Sequence, residues 1–459
     1  MRSKQIGAAV LFGLLVTAPA ERAFGQTLVD SLAAAYSTNS ELNAARSRVR
    51  AIDENVALAR SGNRPIVEAL FRHSNSTSRT LGNNPVGGTS GARPTSISVR
   101  LTQPLFQGFQ VRNRIRGAEA AVKAQRASLQ NTEQDILLDV VTAFADVVQN
   151  SSILSLRESD VSFLEEQVRA AQDRFEVGEG TRTDVSQAEA RLAQAQSALA
   201  FASANLESAR ATFRRLTGLV PRNLVDDFKV DPLLPPSVDA AVDIGQEGHP
   251  AIVASLFDVD VAMFNVKEVE GEALPTVSLF GEAGTTFDPP GANVNREDSA
   301  TVGIDVSIPI YQQGRVSAQV RQAKEELGTS RIQVDVTRDL VRQNTVAAWA
   351  AWRASVRSIF AARTGVFAAQ LALQGVIEEQ RVGQRTTLDV LDAQRELVQA
   401  QVTLVEAERD AEVAAFSLLA AVGRLSAQRL GLPVEVYRPE EHYTAVRDKW
   451  HGLRTPDAR

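Results

Sequence analysis

Two long stretches of the chain hold no proline, residues 105–220 and 310–432, and together they cover more than half of its 459 residues. Proline removes a backbone donor and clashes with the preceding turn. Tracts that avoid it and are rich in Ala, Gln, Glu and Arg therefore predict long helices. Each tract is punctuated near its middle, by Val177-Gly178-Glu179-Gly180-Thr181-Arg182-Thr183-Asp184 and by Val382-Gly383-Gln384-Arg385-Thr386-Thr387-Leu388-Asp389. Glycine fits the left-handed position that ends a helix, and threonine caps the next one. Thr181 with Asp184, and Thr386 with Asp389, have capping-box spacing with Asp in place of Glu. Each tract thus predicts an antiparallel helical hairpin whose first arm reaches roughly 100 Å if straight.

The tracts are copies of one another. Val177-Gly178 pairs with Val382-Gly383, Thr181 with Thr386, Asp184 with Asp389 and Gly218 with Gly423, all at one constant offset. Pro104-Leu105-Phe106 pairs with Pro309-Ile310-Tyr311 at the same offset, and Pro65 with Pro275 at a slightly larger one. A repeat this long means duplicated architecture rather than a short-period solenoid. After each turn a heptad sets in: Val185, Leu192, Leu199, Leu206 and Phe213 in the first copy, Val390, Leu397, Leu404, Ala411 and Leu418 in the second. Alanines flank both seams, Ala188, Ala195, Ala202 and Ala209 beside the first, Ala393, Ala400, Ala407, Ala414 and Ala421 beside the second. Such a pattern predicts coiled-coil packing with close backbone approach.

The segments ahead of each helical tract alternate with a period of two. Val67, Ala69 and Phe71 alternate with Glu68, Leu70 and Arg72; Ile97, Val99 and Leu101 with Ser96, Ser98, Arg100 and Thr102. In the second copy Val277, Leu279 and Ala283 alternate with Thr276, Ser278 and Glu282, and Val302, Ile304, Val306, Ile308 and Ile310 with Thr301, Gly303, Asp305 and Ser307. Each run is about ten residues, the length of a membrane-crossing strand. Turn-rich loops join them, Arg79–Pro94 and Phe287–Ser299. Four strands are too few to close a membrane barrel, which needs about eight, and an open sheet in lipid leaves unsatisfied edges. Two chains would bring eight strands and three would bring twelve. A small soluble sheet is the competing reading.

The N-terminus carries Arg2 and Lys4, an apolar stretch from Ile6 to Val16, and small residues at Ala18 and Ala20. This reads as a secretory signal peptide over residues 1–25. No run of about eighteen apolar residues is read after it, so an exported chain without a transmembrane helix is expected. The chain has no cysteine, which excludes disulfides and thiol chemistry, and its four histidines are scattered (His73, His249, His442, His451). A net charge of −6 argues against nucleic acid as a partner. No catalytic constellation stands out, so an enzyme is not expected and neither is a cofactor or a metal. Gly178-Glu179-Gly180 lies between helices, whereas a nucleotide fingerprint follows a strand.

The string Glu379-Gln380-Arg381-Val382-Gly383-Gln384-Arg385-Thr386-Thr387-Leu388-Asp389-Val390-Leu391-Asp392-Ala393-Gln394 closely resembles the second-repeat turn of the TolC family. Arg174–Val185 resembles the first-repeat turn, and Gln103-Pro104-Leu105-Phe106 and Pro309-Ile310-Tyr311 resemble the strand-to-helix junctions. The resemblance runs from about Thr27 to Tyr437. It implies a mixed α and β fold with an internal two-fold repeat: a homotrimeric outer-membrane β-barrel, four strands per chain, continued by a long α-helical coiled-coil barrel across the periplasm. On that basis the parts are first-repeat short helices (26–64), a first barrel hairpin (65–105), a first long helical hairpin (106–220), a linker with second-repeat short helices (221–274), a second barrel hairpin (275–310), a second long helical hairpin (311–432) and a tail (433–459). The implied partners are a periplasmic adaptor (membrane fusion) protein, an inner-membrane pump or ABC transporter, and outer-membrane lipid. The implied function is an exit duct for efflux or type I secretion. A periplasmic coiled-coil adaptor or scaffold without a pore is the alternative, which the duplicated amphipathic hairpins disfavour.

Asp389 and Asp392 stand i,i+3 on one helix face. The first copy has Asp184 and Gln187 there, so the acidic pair belongs to the second copy alone. By resemblance the pair lines the periplasmic constriction, where six carboxylates in a trimer would select cations and crowd one another's titration. Asp184 and Arg385 match positions that hold the family's entrance closed. Gln380 stands where the family often has Tyr. The turns Val177, Gly178, Thr181 and Val382, Gly383, Thr386 match the adaptor-docking tips.

Overall fold

The computed structural model describes residues 26–79, 89–225, 228–289 and 294–456. The signal-peptide reading over 1–25 lies outside them, as do parts of both strand-connecting loops. The first half runs through helices α1 (Leu28–Thr38) and α2 (Ser40–Ser61), strands β1 (Ile66–His73), β2 (Ser76–Arg79), β3 (Thr89–Ala92) and β4 (Thr95–Gln107), then helices α3 (Gln110–Glu176) and α4 (Arg182–Thr217). The second half runs through α5 (Val238–Gly248), α6 (Pro250–Glu270), β5 (Thr276–Phe287), β6 (Arg296–Ser307), α7 (Arg315–Arg381) and α8 (Thr387–Ala421), with α9 (Pro439–Val446) in the tail. Short helices, strands and a long helical pair therefore occur twice in the same order. Helices α3 and α7 are both 67 residues long, about 100 Å at the usual rise per residue.

Strands β1, β4, β5 and β6 form one antiparallel sheet in that order, and β2 pairs with β3 as an extension of the first hairpin. Period-two alternation is kept in register across all four strands. Val67, Ala69 and Phe71 face Leu101, Val99 and Ile97; Val99 faces Ala283; Leu279 and Val277 face Ile304 and Val306. That face is apolar across the middle of the sheet, with Gln103 at the helix end and His73, Arg296 and Asp298 at the loop end as polar exceptions. The other carries Glu68, Arg72, Arg100, Glu282, Glu297 and Asp305, with Leu70 and Phe280 as apolar exceptions. Arg100 donates to Glu282 Oε2 at 3.0 and 2.6 Å on that polar face. The register shifts between Pro104 and Phe106, so Leu105 forms a bulge that carries β4 past its proline. Alternation in the sequence extends to Ile310, but β6 stops at Ser307. Its last partner is Thr276, and the preceding Pro275 has no amide to donate.

The main core lies midway along α3. Ile136, Leu137, Val140 and Phe144 of that helix pack with Leu28, Leu32 and Leu42, with Phe213 of α4, and with Phe416 and Leu419 of α8. The Phe144 and Phe213 rings lie 6.4 Å apart. Both are fully buried, and each contributes roughly 1.5–3 kcal/mol of hydrophobic free energy. The first heptad also packs inward, with Ala188, Ala195, Ala202, Leu206 and Phe213 buried. Helix α7 contrasts with α3: it buries only Val316, Ala323, Val334, Val341, Thr345 and Leu373 among its described residues. Contrary to the expectation of no such run, the stretches Gln110–Glu176, Val238–Ala273 and Arg315–Arg381 are by length and composition alone apolar enough to cross a membrane, because scattered polar residues interrupt otherwise apolar windows. In α3 those apolar residues fill the protein's own core.

The tail, unassigned from sequence, folds back onto α2. Half-buried His442 Nδ1 meets fully buried Asp53 Oδ2 at 3.0 Å, and Arg126 pairs with Glu440 at 3.2 Å. Arg60 pairs with Asp448, and Arg64 donates to the Lys449 carbonyl while lying over the Trp450 ring. A cavity of about 690 Å3 opens nearby, lined in part by Tyr36, Arg46, Arg126, Gln134 and Tyr437. None of the site residues read from the sequence lines it.

Candidate functional site at the helical tips

The two turns are built alike. Helix α3 ends at Glu176, and Gly178 takes φ +80°, a left-handed value that closes the helix without a Cβ clash. Gly383 does the same after α7 with φ +81°. Each following helix opens with a complete capping box. Thr181 Oγ1 donates to Asp184 Oδ2 at 2.7 Å, and the Asp184 amide donates back to Thr181 Oγ1 at 3.2 Å. Thr386 and Asp389 repeat the arrangement at 2.8 and 3.3 Å. Bonds from Thr181, side chain first, hold the Asp184 carboxyl below the usual aspartate range. Bonds from Thr386, backbone first, do the same for Asp389. Val177 and Val382 stand exposed at the two apices.

Arg385 does not meet Asp184 within the chain. Its Nε donates to Glu379 Oε2 at 2.8 Å, a contact across its own turn that no sequence reading singled out. That bond is the first cause raising the arginine's pKa. Gln380 Nε2 lies 3.3 Å from Thr387 Oγ1 and so bonds inside the same turn. Asp392 is held from the other hairpin: Arg191 Nη2 of α4 donates to Asp392 Oδ1 at 2.8 Å. Two neighbours reinforce that junction. Leu391 is buried among Leu164, Val168, Ala171 and Ala188 of the first hairpin. Gln394 Nε2 donates to Asp160 Oδ1 at 3.1 Å, both side chains buried.

Asp389 and Asp392 therefore sit one turn apart near the start of α8, one carboxylate capping its own helix and the other tied across the hairpins. Arg191 and Asp160 escaped the sequence reading because each lies about two hundred residues from its partner, with no local pattern to link them. Among the described residues no group of three or more His, Asp or Glu is placed to hold a metal ion.

Long paired helices ending in two matched tips are joined to an antiparallel sheet with one largely apolar and one polar face, an architecture shared with outer-membrane channels that carry a helical extension. A family model described as "Outer membrane efflux protein" matches residues 32–219 and 243–424, and the chain belongs to that family, the TolC class of transport channels. Outer membrane efflux protein BepC of Brucella suis biovar 1 (strain 1330) is 46% identical over 455 residues, 99% of this chain and 97% of the relative. Outer membrane protein TolC of Escherichia coli (strain K12) is 27% identical over 441 residues, 92% of this chain and 87% of the relative. The solved structure of the Campylobacter jejuni CmeC outer membrane channel has the same fold, with a TM-score of 0.76 at 16% identity, covering 92% of this chain and 89% of that one. The protein is thus an outer-membrane channel with a periplasmic-facing part, of the kind that works in tripartite efflux and secretion systems, and not an enzyme.

Proposed function

We propose that three copies of this chain form one passive exit duct, twelve strands closing a barrel in the outer membrane and the long helices continuing it as a tunnel. The observation that carries the reading is the sheet itself. Its apolar face suits lipid, its polar face suits a water-filled lumen, and β1 and β6 are left as unpaired edges. An unpaired edge is not tolerated in hydrocarbon, so copies must complete the pairing. Helix α7 supports the same conclusion: Ile332, Leu340, Phe360, Phe367 and Leu371 are exposed along it, with Phe360 at 77% and Phe367 at 71%. That apolar stripe suits the flank of another copy.

In this arrangement the second-hairpin tips converge on the axis, and Asp389 and Asp392 from three copies ring the constriction. Arg385, Asp184 and Gln380 hold adjacent hairpins together at rest. The apices around Val177, Gly178, Thr181 and Val382, Gly383, Thr386 receive a periplasmic adaptor, whose docking loosens those links. An inner-membrane pump or ABC transporter supplies the energy and selects the cargo. The duct itself binds no cofactor.

Single-channel conductance in a planar bilayer tests the reading, with and without Mg2+, for wild type and for Asp389→Asn/Asp392→Asn. Small cation-selective openings blocked by Mg2+ in the wild type but not in the variant are expected. Openings whose Mg2+ block survives the double substitution would sink the constriction ring.

A further inference from the structure

Neither the duplication nor the capping chemistry explains Arg191. At the constant repeat offset it matches Glu396, and Asp392 matches Gln187. The copies have therefore diverged in a complementary way, a cation in the first facing an anion in the second. The pair closes at 2.8 Å, with the arginine side chain 25% exposed and the aspartate 44%. Among the described residues, the other polar side-chain contact of Arg191 is a longer one, to Gln194 Oε1 at 3.4 Å. Asp392 has a second, more distant cation in Arg395 at 3.5 Å on its own helix. The link spans α4 and α8, flanked by the Leu391 contact and the Gln394–Asp160 bond. Moving α8 away from the first hairpin would break all three together.

We infer that Arg191 is a specificity-determining residue of the channel: paired with Asp392 it masks half of the constriction's acidic pair, and it unmasks that carboxylate when the hairpins part. This rests on the constriction reading above. Asp389 spends Oδ2 on its own cap and keeps its charge whatever the hairpins do. Asp392 is different, because its partner belongs to the other hairpin. The pore's attraction for cations therefore rises as it opens, and a divalent ion arriving at the closed tip meets a weaker site than the residue types alone suggest. A partly exposed charged pair has a modest strength, which sets the expected size of the effect.

The test measures Mg2+ block of single channels formed by full-length protein. Arg191→Gln should lower the half-blocking Mg2+ concentration about fivefold, and Arg191→Gln/Asp392→Asn should abolish that shift. Arg191→Lys, which keeps the charge, should behave as wild type. Arg191→Met, which keeps the bulk, should follow Arg191→Gln; this separates lost charge from lost packing. Wild-type block in Arg191→Gln, alongside lost block in Asp389→Asn/Asp392→Asn, overturns the role of Arg191 and leaves the ring standing. Unchanged block in both overturns the ring and the inference with it.

Discussion

Gly108 and Gly271 meet backbone to backbone: a Cβ on Gly108 would lie 2.2 Å from the Gly271 carbonyl oxygen, and one on Gly271 would lie 2.3 Å from that of Gly108. Gly108 also has φ +57°. The contact joins the β4–α3 junction of the first repeat to the α6–β5 junction of the second, where the sheet hands over to the helices. A main-chain oxygen cannot rotate aside as a side chain can, so relief requires the two junctions to separate. Alanine at either position should destabilise the protein by about 2–4 kcal/mol. A lowered denaturation midpoint checks this, and alanine at the open Gly178 or Gly383 site, strained in φ alone, gives the milder comparison.

The capping boxes make the tips sensitive to acid. Thr181→Ala removes an N-cap and should cost about 1 kcal/mol of local helix stability; Thr386→Ala acts in the same direction. Asp184 and Asp389 both titrate below their ordinary value of 3.8 in the folded protein. Their stabilisation is therefore complete above that value and is lost as the pH falls below it, through the depressed folded values. Amide protection in the Thr181–Asp184 and Thr386–Asp389 segments, measured against the unfolded rate at the same pH, should fall in that window in the wild type. The threonine variants should already exchange fast at neutral pH.

Where the tail packs on α2, Asp53 of that helix is fully buried, its Oδ2 meets His442 of α9, and its Oδ1 has no hydrogen-bond partner among the described residues. Burial, the leading cause, pushes its carboxyl above the ordinary range. The sign is opposite to that of the capping aspartates: the site favours the protonated acid, and ionisation costs stability as pH rises from 3.8 through the raised value. His442→Ala would remove the buried carboxylate's partner and should cost about 2–4 kcal/mol. Faster exchange across α9 would report it. Asp53→Asn in the same background should recover part of the loss by removing the buried charge.

Arg385→Ser should raise the resting conductance of the reconstituted channel, since it removes the Glu379 bond that orders the second turn and any link that turn makes to a neighbour. A resting conductance equal to wild type would count against Arg385 as a closing residue.

Local chemistry made the long helices, both turns and their caps legible, because Gly178, Gly383, Thr181 and Thr386 act on residues within four positions of themselves. Period-two alternation likewise marked the four main strands. Contacts between distant segments stayed hidden. Nothing around Arg191 or Asp392 announces the other, and the Glu379–Arg385 pair crosses a turn at a spacing outside the helical i,i+4 rule. The Asp53–His442 pair joins α2 to a tail without local pattern, 389 residues further on. The bulge at Leu105 was unreadable for a similar reason: a proline inside an alternating run argues for the end of a strand unless the neighbouring strand is known.

The two bare edges of the sheet also bear on inheritance. If three copies close one barrel as proposed, each lends β1 to one neighbour and β6 to another, and one defective sheet interrupts the whole ring. If a cell makes intact and assembly-competent faulty chains in equal amounts and they mix at random, only about one trimer in eight is wholly intact. A substitution on β1 or β6 that still permits assembly should therefore be dominant over the normal gene, whereas one that prevents assembly altogether should be recessive.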